Sequence, residues 1–271
     1  MSARLPVRKT YKLFIGGSFV RSESGRYDRS SDFNVPRGSR KDVRDAVAAA
    51  RKARGAWAAR TAYNRGQILY RFAEALESRA ADIGAPREDV EASVDVLVHY
   101  AGWTDKLQPV LGGINPVAAP FLSFSVPEPT GVVGVIAPDA PALLGLVAEL
   151  APAIAAGNTV VAVLSEAEPL PGLDLGEVMG IADVPAGVVN LLSGRRAELA
   201  PALAGHHALD AVVDVSGDAA LGAELDKLAS ESVTRVRHAA AAASYAEATA
   251  DPLSRLEAVT ELKTAWHPVG A

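Results

Sequence analysis

The sequence predicts an α/β protein built on a doubly wound parallel sheet, and three observations lead there. Short continuous apolar runs, Val132 to Ile136 above all, are of the kind that a parallel sheet buries on both faces. From residue 132 to about 237 such runs alternate with helix-length stretches, which is the strand–helix rhythm of a parallel sheet covered on both sides. The composition, 49% hydrophobic and 22% charged over 271 residues, suits one large folded domain or a domain with an appendage.

Taken in order, "KLFIGGSFVR" (12–21) places two short apolar runs around Gly16-Gly17, a two-residue hairpin signature. Ser39 is positioned to cap a helix, and Val43, Val47, Ala50, Ala53 and Trp57 follow at helical spacing. A second helix is expected at about 62–83, with Ile68, Leu69, Phe72, Ala75 and Leu76 on one face. A third is expected at about 87–106, and the three read as one antiparallel helical layer. The Pro- and Gly-rich segment 107–120 reads as a loop. "FLSFSVPEPTGVVGVIAP" (121–138) gives an alternating strand, a turn and the first buried strand. The rhythm then predicts helices at 141–155, about 171–181, about 196–204 and about 219–229. Strands are expected at 159–164, 188–192, 210–215 and 233–237. Residues 239–256, in which Ala predominates, read as a linker or helix. The terminal "VTELKTAWHPVG" (259–270) alternates a chargeable face with one carrying Leu262 and Trp266, so a strand that needs a sheet to join is expected there.

Charge and cysteine count narrow the chemistry. The chain has no cysteine, which excludes disulfides, thiolate metal sites and a cysteine nucleophile. Its five histidines lack metal-ligand spacing, so no metal site is expected. Residues 1–60 hold 15 Lys and Arg against 5 Asp and Glu, while residues 61–271 hold 12 against 27, so a basic start can dock on an acidic body or partner. Among the early basic residues are Arg4, Arg8 and Lys9, with no apolar run behind them. No stretch is long enough to span a bilayer, so a cytoplasmic location and no membrane partner are expected. Without aromatic interleaving and with an acidic balance, nucleic acid is a poor fit as a partner.

Nearly the whole chain resembles the N-terminal half of the aldehyde dehydrogenase superfamily. The resemblance is carried in order by "KLFIGGSFV", "RDAVAAARKARGAW", "RGQILYRFAEALESR", "VLVHYAGWTDK", "PEPTGVVGVIAP", "AIAAGNTVV", "VPAGVVNLLSG" and the final "TELKTAWHPVG". It implies a Rossmann-like parallel sheet with an N-terminal helical layer and a small oligomerisation β-sheet. In those terms residues 1–120 are the hairpin and helical layer and 121–133 the oligomerisation hairpin region. Residues 134–238 are then the Rossmann-like core, 239–258 a linker where family members carry a catalytic domain, and 259–271 the oligomerisation strand. The chain is also similar to the degenerate second module of two-module aldehyde dehydrogenases.

The site positions implied by the resemblance are altered one after another. The oxyanion donor of the family's Pro-Trp-Asn motif falls on Ala140, in Pro138-Asp139-Ala140, and the general base falls near Val236, so no catalytic residue is expected. The ribose-binding lysine falls on Val163. Glu166, Gly217 and Gly222 persist as vestigial cofactor positions, but Asp218 stands where a small hydroxyl residue is usual, and acid beside phosphate is unfavourable. Residues 107–194 contain no Lys or Arg, which leaves Arg195 and Arg196 as the first cations able to offset a dinucleotide. NAD(P) is therefore expected to bind weakly at most. Gly157-Asn158, Gly217 and Glu166 are read first as structural, and Trp57, Trp103 and Trp266 as packing residues. The resemblance implies a non-catalytic subunit that assembles with a full-length aldehyde dehydrogenase through Phe124, Leu262, Lys263 and Trp266. The alternatives are a residual NAD(P)-binding or sensing domain forming its own homo-oligomer, and a weak aldehyde oxidoreductase.

Overall fold

The computed structural model describes residues 7–29 and 33–269. Arg4 and Gly270, both used in the sequence reading, lie outside them. The first strands are β1 (Lys9–Thr10), β2 (Leu13–Ile15), β3 (Ser18–Val20), β4 (Tyr27–Arg29) and β5 (Phe33–Pro36). The β2–β3 turn needs Gly16 and Gly17, whose φ values of 61° and 77° lie in the region side chains avoid, as a primed hairpin turn requires. Then come α1 (Arg40–Ala58), α2 (Ala62–Ser78), α3 (Arg87–Ala101) and α4 (Leu107–Leu111). Ser39 caps α1 in a full capping box: the Asp42 amide donates to its hydroxyl and its own amide donates to the Asp42 carboxylate.

The remaining elements are β6 (Gly113–Asn115), β7 (Phe121–Pro129), β8 (Val132–Ile136), α5 (Ala142–Ala155), β9 (Thr159–Val163), α6 (Leu170–Ile181), β10 (Val189–Leu192), α7 (Arg196–Ala204), β11 (Ala211–Asp214), α8 (Ala219–Ser230), β12 (Arg235–His238), α9 (Tyr245–Thr249), α10 (Pro252–Glu257) and β13 (Thr260–Pro268). The central sheet runs β12-β11-β8-β9-β10-β2-β3, parallel across β12 to β10 and closed at one edge by the antiparallel hairpin. The doubly wound parallel sheet expected from the sequence is the one observed.

Four details differ from the sequence reading. The first three helices do not share one layer: α1 packs with α7 on one face of the sheet, while α2 and α3 stack outside α5 and α6 on the other. Residues 107–120 are not all loop but hold α4 and β6. Residues 121–133 are not a hairpin, because β7 and β8 belong to different sheets. β7 pairs instead with β6 and, over nine residues, with β13. Finally, 239–258, expected as a linker or helix, is a packed connection that carries α9 and α10, with Ala242, Ala248 and Leu256 buried.

The reason lies in α5. Every residue of that helix is buried, because the sheet covers one side and α2, α3 and α10 cover the other. Its one charge, Glu149, is 3% exposed and pairs with two arginines. Arg237 of β12 lies 2.9 Å from one carboxylate oxygen and Arg255 of α10 holds the other. Tyr100 of α3 adds a hydrogen bond of 3.2 Å from its hydroxyl to the Ala248 carbonyl, and burial pushes its hydroxyl up to about 12. A buried charge stripped of its counter-charge is costly. Glu149→Ala should lower unfolding free energy by about 3–5 kcal/mol, read from the midpoint of chemical denaturation, because the buried Arg255 and the partly buried Arg237 both lose this carboxylate partner.

Candidate functional site and family

In doubly wound sheets, ligands bind beyond the carboxyl ends of the strands, where the strand order reverses. Here that point lies between β8 and β11, and the loops leaving β8, β9 and β10 bring Asp139, Glu166, Arg195 and Arg196 to the same edge. Arg196 binds Asp139 through both outer nitrogens, at 2.7 and 3.1 Å, and also donates to the Ala137 carbonyl at 3.1 Å. Asp139 further accepts from the Ser165 hydroxyl at 3.1 Å and the amides of Glu166 and Ala167 at 3.0 and 3.3 Å. Burial alone would raise the Asp139 carboxyl, but the Arg196 guanidinium and these donors hold it at about 2.

Glu166 is engaged at both oxygens. Arg195 donates to one at 2.7 Å, and the amide of Arg196, at the start of α7, donates to the other at 2.8 Å. These bonds outweigh burial and lower its pKa. Arg195 also reaches Asp28 at 3.5 Å. The two arginines that the sequence offered as counter-charges for a dinucleotide are thus held by carboxylates of the same chain. Val163, at the expected lysine position, is fully buried in the core between the sheet and α1.

On the other side of the switch point, a cleft of about 520 Å³ is lined by Asp214, Gly217, Asp218, Gly222, Asp226 and His238. Gly217 has φ 74° and makes the tight turn before α8. Asp218 caps that helix, accepting from the amides of Ala220 and Leu221 at 3.0 and 3.1 Å, so donors that could face a phosphate are already satisfied. Gly222 lies beside His238: an added Cβ there would come 3.2 Å from its ring. The His238 ring sits between two carboxylates, with Nε2 2.9 Å from Asp226 and Nδ1 3.1 Å from Asp214. Ala140 and Val236 do not supply an oxyanion donor or a base, having no polar side-chain atom. Among the described residues no group of three or more His, Cys, Asp or Glu is arranged to hold a metal, and no helix is long and apolar enough to cross a membrane.

The residues expected to meet a partner fall on the outlying sheet β13-β7-β6. Leu262 and Trp266 are 58% and 60% exposed, Phe124 is half-buried, and Lys263 pairs within the chain with Glu128. Sequence reading missed the Asp139–Arg196 and His238 pairings. One signal was present for each: an acid, Asp139, where the resemblance implies Trp ahead of a long stretch without cations, and a histidine where it implies glycine.

Fold and edge together define an α/β protein of the dinucleotide-binding architecture whose ligand edge is filled by its own side chains. The "Aldehyde dehydrogenase family" model matches residues 26–251, and the chain belongs to that family. It is 34% identical over 191 residues to acetaldehyde dehydrogenase 2 of Cupriavidus necator, a match covering 64% of this chain and 38% of that protein. It is also 34% identical over 199 residues to cytosolic 10-formyltetrahydrofolate dehydrogenase of Mus musculus, covering 65% of this chain and 22% of that one. Among solved structures, the NAD+ complex of an aldehyde dehydrogenase from Bacillus cereus superimposes with a TM-score of 0.78 at 30% identity, over 85% of this chain and 50% of that one. The chain spans about half the length of that structure and less than half of those two relatives.

The His238 geometry carries a pH dependence. Both ring nitrogens donate only in the imidazolium form; the bond to Asp226 is the main cause of a raised pKa, opposed by burial and reinforced by Asp214. Because the folded value lies above the ordinary 6.5, the stabilisation is fully present below that value and is lost as pH rises through the folded one. The melting temperature of wild type should therefore exceed that of His238→Gln at pH 6 and converge toward it by pH 9, with an NMR titration of the ring giving the midpoint.

Proposed function

We propose that this chain is a non-catalytic companion of a full-length aldehyde dehydrogenase, joining that enzyme's oligomer through its outlying sheet and supporting it. The observation that carries the reading is the outer edge of β13. The Thr130 amide donates to the Val259 carbonyl and the Val269 amide to the Pro120 carbonyl, so the hydrogen-bonded pairs with β7 are the odd-numbered residues of β13. The amides of Leu262, Thr264 and Trp266 consequently face away from β7. Among the described residues no strand pairs with that side. Thr260, at the root, is covered because its carbonyl accepts from Arg235 at 2.9 Å. An exposed strand edge of this kind is a template for adding a strand from another chain.

The sheet that this strand was expected to need is in part its own: the odd-numbered donors bond within the chain to β7, and the outward half remains. Catalysis is left to the partner, since the chain has no cysteine and carries twenty residues, 239–258, where family members carry a catalytic domain. The cofactor edge supports the same reading. A dinucleotide would have to displace carboxylates from both Arg195 and Arg196 and would meet Asp218 at the α8 terminus, so these residues do not fit it.

Calorimetry with NAD at millimolar concentration should show a Kd weaker than about 100 µM; a value on the order of 10 µM or tighter, about −7 kcal/mol, would favour a dinucleotide-sensing role instead. The partnership is tested by coexpression with full-length aldehyde dehydrogenases of the same genome and size-exclusion chromatography. Wild type should coelute with one of them. Leu262→Pro removes an outward donor while leaving the ladder with β7 intact, and should weaken association by on the order of 2–3 kcal/mol, roughly a hundredfold. Failure of wild type to coelute with any full-length homologue would sink the companion reading.

A further inference from the structure

We infer that, when no other chain occupies this edge, β13 pairs antiparallel with β13 of a second copy about a two-fold axis through Thr264, joining two three-stranded arms into one six-stranded sheet. This inference goes beyond the companion reading and does not rest on it. It differs from strand addition to a catalytic domain because donor and acceptor are the same strand.

Residues 261–267 read Glu-Leu-Lys-Thr-Ala-Trp-His, and centring them on Thr264 sets complementary residues opposite each other. The outward amides and carbonyls belong to Leu262, Thr264 and Trp266, so these become the hydrogen-bonded positions of the new ladder. Thr264 then faces its own copy, and Leu262 of one chain faces Trp266 of the other. On the present surface these two side chains are more than half exposed, and on that face Trp266 touches only the edge of Phe121, at 6.0 Å between ring centres, among the aromatic rings. A facing aliphatic–aromatic pair is a favourable cross-strand contact. On the opposite face the same register sets Glu261 against His267 of the other copy, an acid against the group able to carry positive charge. A shift of one residue would break both matches and would present amides already bonded to β7.

The ends of the strand agree with this register. Position 268 is Pro, without an amide, and it would lie opposite Thr260, whose outward carbonyl is already taken by Arg235. One of the two hydrogen bonds of that terminal pair therefore cannot form, and the ladder weakens there at both of its ends. Antiparallel crossing also places the two central sheets at opposite ends of the joint, since each arm reaches away from its own body over nine residues, about 30 Å at roughly 3.4 Å per residue.

The lack of any cysteine makes the register directly readable by crosslinking the full chain. Across the axis, Thr264 and its copy would lie at a Cα separation of about 5.5 Å, within disulfide reach, whereas Leu262 and its copy would be about 14 Å apart. Under mild oxidation Thr264→Cys should become a covalent dimer at least tenfold faster than Leu262→Cys. Wild type at about 100 µM should elute at twice the 28.1 kDa chain mass. Glu261→Lys should weaken that dimer, and adding His267→Glu should restore it. A wild-type monomer at that concentration, or crosslinking at position 262 as fast as at 264, would overturn the inference. Neither measurement involves a full-length dehydrogenase, so failure here is separable from failure of the companion reading.

Discussion

The organisation of this molecule follows from a helix with no solvent face. α5 lies against β8 and β9 on one side, and its other side must be covered by something other than water. α2 and α3 supply most of that cover and form a third layer outside the sheet. α10 completes it, which is why the connection between β12 and β13 is folded tightly onto the body. Glu149 sharpens the constraint. A carboxylate buried in this helix requires cations, and the two it uses come from β12 and α10, the elements at either end of that connection. Arg237, Glu149 and Arg255 thereby fix the path of the chain from the last strand of the sheet toward the arm.

Asn158 ties the same region together from below. Its side chain accepts from the Gly131 amide at 2.8 Å and donates to the Ala153 and Val259 carbonyls at 3.0 and 2.9 Å. One fully buried amide thus joins the end of α5, the start of β8 and the root of β13. The arm is a continuation of the core rather than a tail, so its edge is presented in a fixed direction. A rigid edge suits strand addition, since little conformational entropy remains to be lost when another strand docks.

The carboxyl edge of the sheet shows a related economy of charge. In a binding fold, donors at helix termini and nearby cations are left open for an anionic ligand. Here Asp218 occupies the donors of α8, Glu166 those at the start of α7, and Asp139 the guanidinium of Arg196. The basic start of the chain behaves likewise, with Lys9, Arg26 and Arg54 paired to Glu177, Glu198 and Asp210 of the body. The chain thus satisfies these charges internally.

The sequence by itself determined most of the elements and the doubly wound parallel class of the sheet, because each rests on short-range rules. A primed turn needs Gly16-Gly17, the α1 terminus needs Ser39 with Asp42, and a strand buried on both faces needs a run such as Val132 to Ile136. The lack of a polar side chain at Ala140, Val163 and Val236 is likewise read directly from the sequence. What only tertiary structure decided was where side chains distant in sequence meet. That α1 lies on the opposite face from α2 and α3 depends on packing area and not on helical period, since all three are amphipathic in the same way. Asp139 with Arg196, His238 with Asp214 and Asp226, and Glu149 with Arg237 and Arg255 join residues up to 106 positions apart. No local pattern encodes such pairs, because their distances are set by the register of strands and the stacking of layers. The outward amides of β13 were decided in the same way: alternation along the strand was legible, but which half faced β7 waited on the pairing itself.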